Sequence, residues 1–111
     1  MGNPIKGQIS ITLDKEYNAR LTIDAITQIE EKLDCGILKI VNELSTMDIR
    51  VNQIVAILTP ALRGGGNQIQ ESDVKKIITE IGIVKSIQVM ADLLTRCLTV
   101  ESEGEQSEKK D

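Results

Sequence analysis

The segment from Val55 to Gly66 constrains this chain more than any other. An apolar helical run, Val55-Ala56-Ile57-Leu58-Thr59-Pro60-Ala61-Leu62, breaks into Arg63-Gly64-Gly65-Gly66. Three consecutive glycines do not belong inside a helix, where each costs about 1 kcal/mol against alanine. Their value lies in conformation: glycine reaches positive φ without a steric penalty, which is the geometry of a helix C-cap and a sharp exit. The run therefore predicts a helix ending near Arg63, with Gly64 or Gly65 left-handed, and reads Arg63, Gly64, Gly65 and Gly66 as a structural corner. A phosphate-binding loop would need a strand before the glycines and Gly-Lys-Ser/Thr opening the next helix. Here a helix precedes and Asn67-Gln68-Ile69 follows.

Around that corner the chain is short and aliphatic. Its 111 residues suit one domain, and 41% of them are hydrophobic, enough for a core. Tyr17 is the sole aromatic and there is no histidine. Without histidine the chain lacks the commonest metal ligand and general base, and no Ser-His or Cys-His pair can form. Without aromatics it has no platform on which bases stack. A net charge of −4 argues against nucleic acid, whose phosphates demand a basic surface. No window approaches the roughly 18 apolar residues of a membrane span. The opening Met1-Gly2-Asn3-Pro4-Ile5-Lys6-Gly7 lacks the apolar centre of a signal peptide, so a cytoplasmic location is expected. Cys35 and Cys97 fall on apolar helical stripes and read as buried free thiols; two cysteines without other ligands make no zinc site. No cofactor or metal is expected.

Periodicity divides the rest. Ile9, Ile11 and Leu13 alternate with polar residues, Asp14-Lys15-Glu16 turns, and Tyr17, Ala19 and Leu21 alternate again, which predicts a β-hairpin over 7–22. Thr22 is a suitable N-cap for a helix whose inner stripe is Ile23, Ile26, Ile29 and Leu33 and which Gly36 ends. A second helix follows with Ile37, Ile40, Val41 and Leu44 inward. A third runs from about Arg50 to Arg63 with Val51, Ile54, Val55, Leu58 and Leu62 as its buried face, and Pro60 should kink it near Ala56 or Ile57. Gln70-Glu71-Ser72-Asp73 opens a fourth helix, with Val74, Ile77, Ile78 and Ile81 inward and Gly82 at its end. The fold class is thus α+β, mainly α: an N-terminal β-hairpin followed by a bundle of four to five helices. Residues 1–6 form an arm, 7–100 one compact domain, and 101–111 a polar tail with no apolar residue, expected to be disordered.

Acid pairs carry no catalytic signature. Glu30 and Glu31 are neighbours on a helix and point about 100° apart, which reads as a solvated face. The last helix is the unusual element. Ile83, Val84, Ile87, Met90, Ala91, Leu94, Cys97 and Leu98 cover one side, and Val89, Leu93 and Val100 widen that side to about twice the roughly 100° stripe of an ordinary surface helix. Either the helix is central or part of the arc meets a partner. The candidate partner surface is Val89, Leu93 and Val100 flanked by Arg96, with another protein or a second copy as occupant.

With these residues placed, the chain resembles a family of small proteins from the tail modules of alphaproteobacterial prophages and gene transfer agents. The resemblance rests on the strand ending in Leu13-Asp14 and on Ile26-x-x-Ile29-Glu30-x-x-Leu33 closed by Gly36. It continues through Val55-Ala56-Ile57-Leu58 leading to Leu62-Arg63-Gly64-Gly65, and through Glu71-x-Asp73-Val74 opening a helix that ends in Ile81-Gly82. It spans about Gly7 to Leu98, and departs in lacking a glycine after Leu13-Asp14. It implies a role in building a long tail: a tail assembly chaperone that coats the tape-measure protein, or alternatively a structural tail tube component, virion-associated in that case. The sequence favours the chaperone, because two short strands are too few for a tube wall. Other classes fare worse. An enzyme has no catalytic constellation here, and a DNA-binding regulator needs a basic recognition helix, whereas the Lys75-Lys76 pair stands beside Glu71 and Asp73.

Overall fold

The computed structural model describes residues 8–46 and 48–110, the side chains of Ser45 and of 99–110 excepted. The N-terminal arm expected over 1–6 lies outside the described residues.

Period-two alternation gives β1 (Ile9–Thr12) and β2 (Glu16–Ala19), paired antiparallel with Ile9 opposite Ala19 and Thr12 opposite Glu16. Leu13, Asp14 and Lys15 link them without a glycine, closed by a hydrogen bond from Leu13 N–H to the Lys15 carbonyl at 2.8 Å. Ile11, Leu13 and Ala19 turn into the core. On the opposite side Ser10 Oγ donates to Glu16 Oε2 at 2.7 Å.

The Thr22 hydroxyl accepts from Ala25 N–H at 2.9 Å and starts α1 (Ile23–Leu33), as its residue type predicts. The helix does not wait for Gly36 to end it. Asp34 adopts the left-handed conformation at φ 56°, which a short polar side chain tolerates. Gly36, at φ −75°, instead stands as the N-cap of α2 (Ile37–Ser45). Glu30, read as a solvated acid, accepts from Ile37 N–H at 2.9 Å, so its carboxylate sits where the α2 dipole favours a negative charge. Ile23, expected inward, is 76% exposed. It is the first helical residue, and its Cβ leans back toward the helix start, past the layer below.

α3 (Val51–Gly64) is the centre of the molecule. Every residue from Ile54 to Leu62 is buried, and α1, α4, α5 and β2 all pack on it. The expected single stripe is therefore too narrow, and Val51, expected inside, is 41% exposed. A helix with no charged residue between Arg50 and Arg63 is apolar all round, and such a helix belongs in the interior. It continues through Pro60.

α4 (Glu71–Ile81) begins with Asp73 Oδ2 accepting from Gln70 N–H at 2.9 Å and ends at Gly82, whose φ of 94° only glycine reaches cheaply. α5 (Ile83–Lys110) packs on β1, α2, α3 and α4, burying Ile87, Met90, Leu93, Leu94 and Cys97. Ile83 and Val84, which the periodicity placed on the covered side, are exposed. The helix runs on through the segment for which composition predicts disorder. Extending a formed helix needs no new nucleus, and Glu, Gln and Lys are good helix formers. The fold is α+β, mainly α: among the described residues, one antiparallel hairpin and five helices.

Candidate functional site

At the corner after α3 the positive φ falls on Gly66, at 99°, and not on Gly64 or Gly65. Gly64 is the last helical residue and Gly65 has φ −85°. Asn67 N–H donates to the Leu62 carbonyl at 3.1 Å and Gly66 N–H to the Arg63 carbonyl at 3.0 Å, the paired bonds of a Schellman C-cap with Gly66 as its left-handed residue. The first two glycines serve another purpose, which is proximity. Arg20 N–H donates to the Ala61 carbonyl at 2.9 Å, pulling the exit of β2 against the end of α3. A Cβ on Gly64 would collide with the Arg20 carbonyl oxygen, and one on Gly65 with the Asn18 carbonyl, 2.7 Å from Ala19 N. Asn67 Nδ2 clasps both partners, donating to the Asn18 carbonyl at 2.7 Å and the Leu62 carbonyl at 2.9 Å. Arg63 turns the other way, with Nε donating to the Ile69 carbonyl at 2.9 Å.

The structure removes Leu93 from the partner surface expected on α5. Leu93 is fully buried, so it belongs to the core. Val89 is half-buried and Arg96 exposed. Both line a shallow groove of about 300 Å³ against Ser10, Ile11 and Thr12 of β1. Arg96 Nη1 donates to Asp92 Oδ2 at 3.3 Å and approaches the Ser10 carbonyl at 3.4 Å. The Val100 side chain lies outside the described residues. Over the described residues α5 packs on β1, α2, α3 and α4, so part of the wide apolar arc is covered within the chain.

Two other clefts are larger. One of about 450 Å³ opens between the hairpin tip and α4, with Tyr17, Asp14, Lys15, Asp73, Lys76 and Glu80 among its walls. Tyr17 donates its hydroxyl to Asp14 Oδ1 at 2.9 Å, and Lys15 Nζ lies 5.7 Å from the ring centre. Desolvation, then the hydrogen bond and negative charge of Asp14, push the Tyr17 phenol up to about 12 from 10.0. The folded state therefore holds the proton where the unfolded chain releases it. The contribution is intact below pH 10.0 and is lost as pH rises to about 12. Alkaline titration of phenolate absorbance alongside thermal melts should show this loss, and Tyr17→Phe should remove it. A Tyr17 titrating at the ordinary value would rule the effect out.

The second cleft, about 430 Å³, lies between α1, α3 and the start of α4. Gln28, Glu31 and Lys32 form one wall and Ala56, Thr59 and Pro60 the floor. Lys32 Nζ meets Glu71 Oε2 at 3.2 Å across it. Sequence reasoning missed this cleft. Its one visible signal was a threonine and a proline inside an otherwise aliphatic run.

Compared with known families, residues 6–99 match the model of the phage tail tube protein, GTA-gp10 family. The chain belongs to that family. This is a phage tail-related protein, and membership points to protein partners in the tail and to association with a virion. No curated protein and no solved structure matches the chain. Among the described residues no helix is long and apolar enough to cross a membrane.

Proposed function

We propose that this tail-family protein is a non-enzymatic tail assembly chaperone that binds the tape-measure protein in the host cytoplasm before the tube closes around it. The observation that carries this reading is the shortage of strand. A tube wall is a continuous sheet, whereas the described residues contain two strands of four residues each, paired only with one another. The remaining elements are helices, the natural complement of a long helical client. The second reading, a structural tube component, is favoured by the family's own description as a tail tube protein.

Two measurements separate them. Co-expression with a tape-measure protein of the same tail module should yield a complex, and mass spectrometry of purified particles should find this chain far below the copy number of the major tail protein. Its presence there at a copy number like that of the major tail protein would overturn the chaperone reading and support the tube.

A further inference from the structure

The two edges of the hairpin differ. In an antiparallel pair, residues that exchange hydrogen bonds alternate with residues whose N–H and C=O point away from the partner strand. The bond from Leu13 N–H to the Lys15 carbonyl, beside the Thr12–Glu16 pair, sets that alternation. Ser10 and Thr12 therefore direct their backbone groups off the outer edge of β1, and Glu16 and Asn18 direct theirs off the outer edge of β2. The side-chain donors agree on both strands. The Asn18 carbonyl accepts from Asn67 Nδ2 at 2.7 Å, and Arg96 Nη1 reaches the Ser10 carbonyl at 3.4 Å. The β2 edge is closed by the end of α3, where a Cβ on Gly65 would collide with the Asn18 carbonyl. The β1 edge is open: Ser10 and Thr12 are exposed, and among the described residues β2 is the one strand that pairs with β1.

Beside this open edge runs the groove of about 300 Å³, walled by Lys85, Gln88, Val89, Asp92 and Arg96, one stripe of α5 at helical spacing. An extended backbone suits such an edge, because its own donors and acceptors recur on one side at every second residue, whereas a helix has already used its own. The edge also matches itself. A two-fold axis at Ile11 sets Ser10 opposite Thr12 of a second copy, and Thr12 opposite Ser10 of that copy, which engages every outward backbone group on both strands. The same axis turns the α5 stripes antiparallel. Arg96 and Asp92 mark the Ser10 end of the groove, so Lys85 stands toward the other end. The axis then brings Lys85 of one copy to Asp92 of the other. Val89, half-buried in the middle of the stripe, meets Val89 of the second copy. Arg96 is no barrier, since its contact with Ser10 is long and its side chain is exposed.

We propose that the outer edge of β1, with the flanking stripe of α5, pairs antiparallel with the same edge of a second copy of this chain. The two hairpins then form one continuous sheet, with reciprocal Lys85–Asp92 pairs beside the seam. The strands are short, so the association is weak and concentration-dependent. It rests on neither reading of the function, chaperone or tube.

The test uses the full chain. Sedimentation velocity from micromolar to millimolar concentration should show a monomer passing into a dimer, and hydrogen exchange at the Ser10 and Thr12 amides should slow as the dimer forms. Thr12→Pro should stay monomeric with an unchanged circular-dichroism spectrum, because proline is tolerated where the lost N–H points off an edge. Lys85→Glu should weaken association about tenfold, since the two-fold counts each like-charge contact twice. Adding Asp92→Lys to it should restore the dimer, and this charge exchange decides the matter if Thr12→Pro fails to fold. A monomer at every concentration would overturn the proposal. So would a dimer in which exchange at Ser10 and Thr12 does not slow, or one that the charge exchange leaves as weak as Lys85→Glu alone. Protection of Ser10 and Thr12 only when another protein is bound would give the edge a different occupant and overturn the self-pairing.

Discussion

Leu93→Glu should unfold the protein. Leu93 and its neighbour Leu94 are both fully buried although consecutive helical residues point about 100° apart. Both can be covered only because α5 is walled on more than one side, by β1 as well as by α2, α3 and α4. A glutamate at Leu93 would place a carboxylate in an aliphatic core. The cost is several kcal/mol when such a charge is left unpaired, a large part of the roughly 5–15 kcal/mol that holds a domain together. Circular dichroism of Leu93→Glu should show the same loss of helix as Leu94→Glu. The milder Leu93→Ala should stay folded and lose about 2–5 kcal/mol. A Leu93→Glu protein with an unchanged melting midpoint would return Leu93 to the surface.

That residue also shows where sequence reading stops. The width of the apolar arc on α5 reports how many sides of the helix are covered, but not by what. Part of the cover, β1, comes from the far end of the chain, and nothing local to α5 announces it. Local signals were legible where the physics is local. The alternation of Ile9, Ile11 and Leu13 produced a strand, Thr22 capped α1, and Gly82 closed α4. They misled where two residues compete for one role. Gly36 is the conventional terminator, yet Asp34 reaches the left-handed region first. The central position of α3 was written in the uncharged stretch from Val51 to Leu62, but an amphipathic template reads only one stripe of it. The cleft over Thr59 was hardest to foresee, since a buried hydroxyl becomes informative only once its neighbours are known not to bond it.

The glycine corner yields a graded expectation that separates two physical causes. Gly65→Ala should be the most damaging of the three alanine substitutions. Its Cβ would meet backbone, namely the Asn18 carbonyl and Ala19 N, and backbone cannot swing aside as a flexible side chain does. The hairpin would have to lift from α3, straining the Arg20-to-Ala61 hydrogen bond and the Asn67 clasp. Overpacking of this kind costs about 1–3 kcal/mol and here should reach the upper end, lowering the melting midpoint by 10 °C or more at roughly 4–8 °C per kcal/mol. Gly64→Ala should follow, since its Cβ strikes the Arg20 carbonyl oxygen. Gly66→Ala should cost only about 1 kcal/mol, because no atom lies within 4 Å of its Cβ and the penalty is that of positive φ alone. Thermal melts of the three variants decide between causes. If Gly66→Ala proves the worst, the glycines serve the left-handed cap, and the close seat of the hairpin on α3 is not what demands them.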